Sequence, residues 1–286
     1  MSKGRSKKAK RADKRVEKRK SIAHAQKKAQ KPSQLQPKSP NKHKTPTPQH
    51  LKPTIPFSPD DKILLVGEGD FSFAASLVTH HECTSVLATS YDSEAELLEK
   101  YPQAAAHLTT LRTTSLTPLH SISAAKLPTY KPLRLASPYH RILFNFPHVG
   151  GKSTDVNRQV RYNQELIVSF LRSATPLLAP SGTIIITLFE GEPYTLWNIK
   201  DLARHVGLVA RESFKFRSEA YPGYKHARTL GNIEGGGGWK GEGRDARSYV
   251  FAASEEDAGG NAEVPQGQKG GKRGKGNENS SEDEDD

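Results

Sequence analysis

Two glycines that directly follow an apolar run have the spacing of a ligand-binding turn. Residues 63–66 are apolar, as in a buried strand, and Gly67 and Gly69 come next, one residue apart. Glycine lets the backbone turn sharply and lets a ligand approach without meeting a Cβ. A parallel α/β sheet that binds a nucleotide-like cofactor begins in this way. The spacing therefore predicts a cofactor-binding loop made of Gly67, Glu68, Gly69, Asp70 and Phe71.

Features that are missing from this loop narrow the choice of cofactor. A dinucleotide-binding loop needs a third glycine beside the pyrophosphate, and Ser72 stands at that place. There is no P-loop lysine either, so the pattern favours a cofactor without a pyrophosphate over a nicotinamide. Asp92, 23 residues after Gly69 at the end of the second predicted strand, is placed to accept hydrogen bonds from ribose hydroxyls. The alternative is an acid at a helix N-terminus, where the macrodipole favours negative charge.

A second motif, Asn145-Phe146-Pro147-His148, follows another predicted strand. Proline restricts the backbone, so such a turn holds its polar groups rigidly. Methyltransferases that act on planar nitrogens use a similar Asn/Asp-Pro-Pro-aromatic turn, in which the amide grips the target base and an aromatic ring stacks on it. We expect the four residues to lie at the carboxyl edge of the sheet, over the cofactor pocket.

Alternating strands and helices are needed to bring these motifs to one edge. The patterns predict strands at 63–66, 85–92, 118–123, 141–146 and, after a turn at Ser181-Gly182, 183–189. They predict helices at 72–80, 93–108 (with Ser93 as N-cap and Glu96 three residues later), 155–177 and 198–206. Two late strands, 208–216 and 247–252, are expected to pair as an antiparallel hairpin. The fold class is thus α/β, a mostly parallel doubly wound sheet that ends in a hairpin, as in Rossmann-like class I methyltransferases.

Charge divides the chain into three parts. Residues 1–53 contain 18 Lys and Arg against 2 Asp and Glu, whereas residues 254–286 contain 4 against 10. The middle is nearly balanced, with 21 against 19, so the net charge of +12 belongs to the N-terminal arm. That arm has too few apolar residues to fold alone, and eight prolines lie within 32–59. We expect a disordered basic arm and Pro-rich linker over 1–54, a folded domain over 55–253 and a disordered Gly-rich acidic tail over 254–286.

Composition also excludes several classes of protein. Cys83 is the single cysteine, which excludes an internal disulfide and a multi-cysteine zinc site. The segment 80–83 (His-His-Glu-Cys) is too tightly spaced for a regular zinc site, so we expect no metal. No apolar run approaches the roughly 20 residues that span a bilayer, so we expect no membrane association. The basic arm indicates a nuclear or nucleolar address or an arm that binds nucleic acid, the alternative being a solvated tail.

Four motifs, in this order, resemble those of the eukaryotic large-subunit ribosomal RNA (uridine-N3)-methyltransferase family. They are Val66–Phe73, Asn145–His148 with Gly150-Gly151, Asn163–Leu166 and Tyr221–Thr229. The resemblance covers about residues 60–252, which is essentially the whole predicted domain. It implies S-adenosylmethionine as methyl donor, a uridine in ribosomal RNA or pre-ribosomal particles as acceptor, and a location in the nucleus and nucleolus. We expect the protein to act as a monomer.

The chain departs from the wider methyltransferase pattern at three places. Leu65 stands where many such enzymes have an acid before the first glycine, and Phe71 replaces their third glycine. After the third predicted strand, where an acid would hold the adenine, the chain has Ser121-Ile122-Ser123-Ala124. Ser123 is therefore the expected hydrogen-bonding residue at the adenine.

The resemblance suggests roles for the second motif. Asn145 would hydrogen-bond a uracil carbonyl, and Phe146 would stack on the ring or wall the pocket. The N3 proton must leave, and His148 is the first candidate to accept it because imidazole titrates near working pH. Glu190, just past the fifth predicted strand, is the second candidate. The alternative for His148 is that it only braces the turn.

The Tyr221–Thr229 segment combines aromatic and basic residues within nine positions. Aromatic rings stack on bases, and Lys or Arg neutralise phosphates. The predicted RNA-binding residues are Tyr221, Tyr224, Lys225, His226 and Arg228, with core packing as the alternative for the two tyrosines. Two other functions stay open: a non-catalytic ribosome-assembly factor with a Rossmann-like core, and a methyltransferase that acts on another RNA.

Overall fold

Six strands form one sheet in the part of the chain that the computed structural model describes, residues 52–232 and 243–254. The strands are β1 (Ile63–Leu65), β2 (Val86–Ala88), β3 (Tyr139–Asn145), β4 (Leu178–Phe189), β5 (Leu208–Phe216) and β6 (Ala246–Ala253). The helices are α1 (Ser72–His80), α2 (Glu94–Lys100), α3 (Ala104–Thr113), α4 (Lys131–Ala136), α5 (Val156–Ala174) and α6 (Ile199–His205). Short 3₁₀ turns lie at Ala124–Thr129, Thr175–Leu177, Tyr194–Trp197 and Ser218–Ala220.

The strand order is β2-β1-β3-β4-β6-β5, and β6 alone points in the direction opposite to the other five strands. The chain leaves β1 for β2 on one side and returns to β3 on the other. This reversal is a topological switch point, where open α/β sheets bind ligands at the carboxyl ends of their strands. The predicted fold class is confirmed, and so is the antiparallel pairing of the two late strands.

Successive side chains of the central strands point to opposite sides of the sheet, and helices cover both faces. Leu64, Ile142 and Ile184 belong to one apolar cluster, which α5 and α6 cover. Ile63 and Ile185 belong to a second cluster, which α1, α2 and α3 cover. The result is a three-layer arrangement that fixes the carboxyl edge of the sheet between two packed faces.

The predicted helix at 93–108 is two helices. Its start is confirmed, because Ser93 and Glu96 form a capping box in which the Ser93 side chain accepts from the Glu96 N–H. The helix stops at Lys100, and α3 begins only at Ala104. Pro102 lies between them and has no N–H to continue the hydrogen-bond ladder.

The prediction of a third strand at 118–123 is wrong. A single parallel bridge joins Leu119 to Thr89. Pro118 lacks a ladder donor, and Ser121 adopts a left-handed backbone with φ of 59°, so pairing cannot continue. The predicted turn at Ser181-Gly182 is a bulge inside β4, since Leu178 pairs with Tyr139 and Thr183 with Arg141.

Two predictions fall on parts of the chain outside the described residues. They concern the basic arm and linker up to residue 51 and the acidic tail from residue 255. The proposed domain limits therefore stay predictions. The regular elements run from Ile63 to Ala253.

Candidate active site

A cavity of about 430 Å³ opens at the switch point, between the loop after β1 and the turn after β3. The segment 224–230 closes its third side. Most residues that the sequence predicts for the site meet here. Those on its lining are Gly67, Glu68, Gly69, Asp70, Asp92, Ser123, Asn145, Phe146, His148, Tyr224, Lys225 and His226.

The two glycines of the loop are required by the protein's own side chains. Gly67 has a left-handed backbone with φ of +70°, and a Cβ built there would lie 2.5 Å from the Phe144 ring. A Cβ on Gly69 would lie 2.9 Å from the Cβ of Ala227. The expectation that the space is left for a ligand is therefore corrected: Phe144 and Ala227 fill it, and the cavity lies beside them.

Asp70 organises the loop. It is 4% exposed, its Oδ1 accepts the N–H of Ser72 at 3.0 Å and its Oδ2 accepts from Gln103 at 3.2 Å. Phe71 does not line the cavity, which corrects its assignment to cofactor binding. Its ring is fully buried in the core, 5.5 Å from the ring of His120, and its backbone is left-handed with φ of 61°.

Glu68 is the most perturbed carboxyl group of the cavity. Burial raises its pKa from an ordinary value of 4.5 to about 8, and the charge of Asp70 adds to the rise. Its Oε2 accepts the N–H of Ala74, in the first turn of α1, at 3.2 Å, which opposes the shift. Near neutral pH this carboxyl group is largely protonated, and a positive charge in the cavity would favour its ionisation.

Two residues that the sequence predicts to contact a nucleoside, Asp92 and Ser123, also line the cavity. Asp92 Oδ1 lies 2.6 Å from Lys100 Nζ, and both residues line the cavity. Ser123 lies on the lining between Ile122 and Ala124, and its own N–H donates to the Tyr130 hydroxyl at 3.0 Å. The ribose and adenine contacts of Asp92 and Ser123 stay predictions.

The turn after β3 is held in an uncommon backbone conformation. Phe146 has φ of 51°, and its N–H donates to the Thr187 carbonyl at 2.8 Å. Such strain costs about 1–3 kcal/mol and persists where the surroundings impose it, often at functional sites. The Phe146 ring centroid lies 4.3 Å from that of His226 and 4.5 Å from that of Phe189. Pro147 is buried and shapes the turn but does not line the cavity, so the expectation that all four residues of the turn lie over the pocket, with Pro147 among the catalytic residues, is not supported at this position.

His148 lines the cavity but does not offer Nδ1 as a base. That atom accepts the N–H of Gly150 at 2.9 Å, so the proton of the neutral ring is on Nε2. Burial also lowers the pKa of His148. The side chain therefore has an N–H donor to offer rather than a free lone pair. This favours the alternative in which His148 positions groups and does not accept the N3 proton.

Glu190, the second candidate base, is outside the cavity. Its side chain accepts from Arg247 Nε at 2.7 Å, and the residue is exposed. It lines neither this cavity nor a second, adjacent cavity that Phe189, Arg217 and Arg244 line. The prediction that Glu190 accepts the proton is therefore not supported by its position.

Some residues of the Tyr221–Thr229 segment pack in the core, and others line the cavity. Tyr221 is 3% exposed and stacks on Phe216 with ring centroids 5.4 Å apart, so its assignment to RNA binding is wrong and the core alternative holds. Tyr224, whose pKa burial raises well above its ordinary value, lies with its hydroxyl 3.4 Å from His226 Nδ1. Burial lowers the pKa of His226 to about 4, so its ring is neutral. Arg228 lines neither cavity, and its RNA contact stays a prediction.

Sequence reasoning missed several residues that hold the site together. The Tyr101 hydroxyl donates to the Arg228 carbonyl. On α5, Asn163 Oδ1 accepts the N–H of Val149 at 3.0 Å, and Gln159 donates to the Gly150 carbonyl at 2.5 Å. The resemblance included Asn163 in a motif but did not indicate this bracing role. Lys100, which pairs with Asp92, had no signal in the sequence.

No helix within residues 52–232 and 243–254 is both long and apolar enough to cross a membrane. No group of three or more His, Cys, Asp or Glu side chains there is arranged to hold a metal ion. Cys83 is buried, and burial raises the pKa of its thiol to about 11.

Known proteins resemble this chain over most of the described domain. Residues 64–228 match the model of a family described as BMT5-like, rRNA (uridine-N3-)-methyltransferase. The 25S rRNA (uridine(2634)-N(3))-methyltransferase of Saccharomyces cerevisiae is 32% identical over 251 residues, which cover 69% of this chain and 74% of that protein. Heavy metal-associated isoprenylated plant protein 41 of Arabidopsis thaliana is 35% identical over 175 residues, but the chain spans only 34% of its length.

Solved structures are similar at lower identity. A methyltransferase from Pyrococcus furiosus is 19% identical with a TM-score of 0.40, over 67% of this chain and 74% of that one. TrmN from Thermus thermophilus is 16% identical with a TM-score of 0.40, over 68% of this chain and 45% of that one. The family match is the stronger finding, since it extends from β1 to the segment that closes the cavity. This chain therefore belongs to the BMT5-like family of S-adenosylmethionine-dependent rRNA (uridine-N3-)-methyltransferases.

Proposed function

We propose that the cavity at the switch point is the catalytic centre at which this chain methylates N3 of a uridine in large-subunit ribosomal RNA. One observation carries the proposal. The loop after β1 and the Asn145–His148 turn, about 80 residues apart in the sequence, line one cavity of about 430 Å³. The residues beside the loop after β1 suit a nucleoside cofactor, and the Asn145–His148 turn has the amide and aromatic groups that bind a planar base.

The residues present fit S-adenosylmethionine. Asp92 would accept hydrogen bonds from the ribose hydroxyls, and Ser123, beside Ile122, would hold the adenine. Glu68 lines the same cavity, and a sulfonium bound there would favour the ionised form of its carboxyl group. When bound, the cofactor supplies an electrophilic methyl group on a sulfonium.

The chain's own groups prepare the acceptor. N3 lies on the Watson–Crick edge, so the uridine must be unpaired or flipped out. Asn145 hydrogen-bonds one uracil carbonyl, and the Nε2–H of His148 donates to the other. Loss of the N3 proton places negative charge on those carbonyl oxygens, so donors aimed at them stabilise the reactive anion. The proton leaves to water, and positioning beside the methyl donor supplies much of the remaining rate.

The parts outside the described residues have proposed roles as well. The basic arm, with 18 Lys and Arg against 2 acidic residues over 1–53, binds RNA phosphates without regard to sequence. It also serves as the nuclear and nucleolar address, which brings the chain to pre-ribosomal particles. The folded domain acts as a monomer.

Nucleoside mass spectrometry of large-subunit rRNA tests the proposal. Cells that lack this chain are complemented with the wild type, with Asn145→Ala or with Asn157→Ala, a matched control on the exposed first turn of α5. We expect 3-methyluridine to be present with the wild type and the control and absent with Asn145→Ala. An unchanged 3-methyluridine level in the cells that lack the chain would contradict the proposal.

A further inference from the structure

A second cavity of about 510 Å³ lies next to the first at the same edge of the sheet. The two share four residues, Phe146, Tyr224, Lys225 and His226, so one wall separates them. The rest of the second cavity comes from the ends of β4 and β5 and the start of β6. No residue that lines only this second cavity has a role in the proposed methyl transfer.

Aromatic rings form one side of the second cavity. The rings of Phe146, Phe189 and His226 pack against one another, with the Phe189 centroid 4.5 Å from that of Phe146 and 5.1 Å from that of His226. The guanidinium of Arg244 lies 4.7 Å from the centre of the Phe189 ring and 5.1 Å from that of Tyr194. Flat apolar rings beside a planar cation are the surface on which unpaired nucleobases stack.

The charge of the lining is positive. Lys215 and Asp245 neutralise each other in an ion pair of 2.5 Å. Apart from that pair, the described lining has three positively charged residues, Arg217, Lys225 and Arg244, and one negatively charged residue, Glu219. Such an excess suits a ligand with phosphate groups, since Arg and Lys neutralise them.

The first cavity has a volume of about 430 Å³, near the low end of the roughly 300–1,000 Å³ found for pockets that hold one small ligand. Such a volume suits the cofactor and the reacting edge of the base, so the rest of the acceptor nucleotide needs a neighbouring space. The two cavities meet at Phe146 and His226, which line both.

We propose that the second cavity is the subsite for the acceptor nucleotide. An unpaired uridine enters with its ring against Phe146 and its flanking phosphates bound to Arg217 and Arg244. Its Watson–Crick edge reaches past His226 to Asn145 and His148, which line the cofactor cavity. This inference rests on the proposed function, but it concerns binding and can be tested without methyl transfer.

Fluorescence anisotropy with a labelled uridine-rich single-stranded RNA tests the subsite. The full chain is saturated with S-adenosylhomocysteine, and wild type is compared with Arg244→Ala and with Arg204→Ala. Arg204 is a matched control because it is an exposed arginine, paired with Asp201 on α6, that lines neither cavity. We expect Arg244→Ala to weaken single-strand binding about tenfold, and Arg204→Ala to stay within about twofold of wild type.

A fully paired RNA duplex of the same length separates base binding from general charge attraction. We expect the two variants to bind the duplex equally well. The subsite would be overturned if Arg244→Ala and Arg204→Ala lost the same affinity for the single strand. It would also be overturned if Arg244→Ala lost as much affinity for the duplex as for the single strand. Wild-type chain that binds the single strand as expected but leaves rRNA unmethylated would refute the proposed function and not the subsite.

Discussion

The hydroxyl of Ser72 binds both backbone groups of Lys225, 153 residues further along the chain. Oγ donates to the Lys225 carbonyl at 3.2 Å and accepts its N–H at 3.3 Å. Ser72 is the first residue of α1, directly after the glycine loop, and Lys225 lies on the wall between the two cavities. The floor of the cofactor cavity and the segment that closes it are therefore held as one unit.

Removal of this hydroxyl should weaken both stability and cofactor binding. Ser72 is 2% exposed, so Ser72→Ala leaves two backbone groups unpaired at a cost of about 1–3 kcal/mol. We expect the affinity for S-adenosylhomocysteine to fall several-fold as the closing segment loosens. Thermal unfolding and titration calorimetry measure the two effects.

Ser76→Ala is the matched control. Ser76 is also 2% exposed and lies one turn further along α1, but its Oγ has no hydrogen-bond partner among the described residues. Its loss should leave stability unchanged or improved. If the two variants unfold at the same temperature and bind equally well, the Ser72 bridge has no such role.

Packing against Ala227, rather than a ligand, should make Gly69 intolerant of a side chain. A Cβ on Gly69 would lie 2.9 Å from the Ala227 Cβ, so Gly69→Ala must push the closing segment away. We expect a loss of about 1–3 kcal/mol in the free energy of unfolding and weaker cofactor binding.

The second substitution Ala227→Gly removes the clash and should restore most of both losses in a double-mutant cycle. Circular dichroism and calorimetry measure the coupling. Simple additivity of the two substitutions would show that the Gly69 requirement has another origin.

Protonation of Glu68 should couple stability to pH. Its pKa is raised to about 8 in the folded chain from an ordinary 4.5, so the folded state binds the proton more tightly than the unfolded state. The stabilisation that protonation supplies is complete below pH 4.5 and lost as the pH rises to about 8. The free energy of unfolding of the cofactor-free wild type should therefore fall, relative to Glu68→Gln, across this range.

The same group should make cofactor binding release a proton. A cationic ligand favours the ionised carboxylate, so binding at pH 7 drives deprotonation of Glu68, and affinity rises with pH up to about 8. Calorimetry in two buffers with different ionisation enthalpies counts the protons released. Equal proton release by wild type and Glu68→Gln would exclude Glu68 as the responsible group.

His148 should act as a hydrogen-bond donor and not as a base. Nδ1 already accepts the N–H of Gly150 at 2.9 Å, so His148→Ala should lower kcat by about 10²-fold, the cost of losing one donor to a developing charge. His148→Gln keeps an N–H and should lose less. The pH profiles of wild type and His148→Gln should run parallel; a limb present only in the wild type would identify His148 as the base after all.

Deletion of residues 1–53 should weaken RNA binding without changing cofactor affinity. The deletion removes 18 basic and 2 acidic residues, so fewer counterions are released on binding and affinity should depend less steeply on salt. Deletion of residues 255–286, which are predominantly acidic, is the control and should not weaken RNA binding. An unchanged salt slope without the arm would contradict its proposed role.

The position of both motifs and of the strands that precede them follows from the sequence alone. Apolar runs place β1, β3 and β4, the Ser93 capping box begins α2, and the glycine pair and the Asn145–His148 turn follow their strands as predicted. These features depend on backbone stereochemistry and on the period of side chains along a strand or helix, which are local properties that neighbouring residues express.

The contacts that make these motifs one site depend on the tertiary structure. Ser72 meets Lys225 and Asp92 meets Lys100 because strand order and helix packing bring them together. Tyr221 is buried in the core, and the Nδ1 lone pair of His148 accepts a hydrogen bond from the Gly150 N–H. Residue type and spacing specify what a side chain is able to do. The partners of a side chain and its exposure to water are decided only when distant segments pack, because desolvation and hydrogen bonding depend on the folded surroundings.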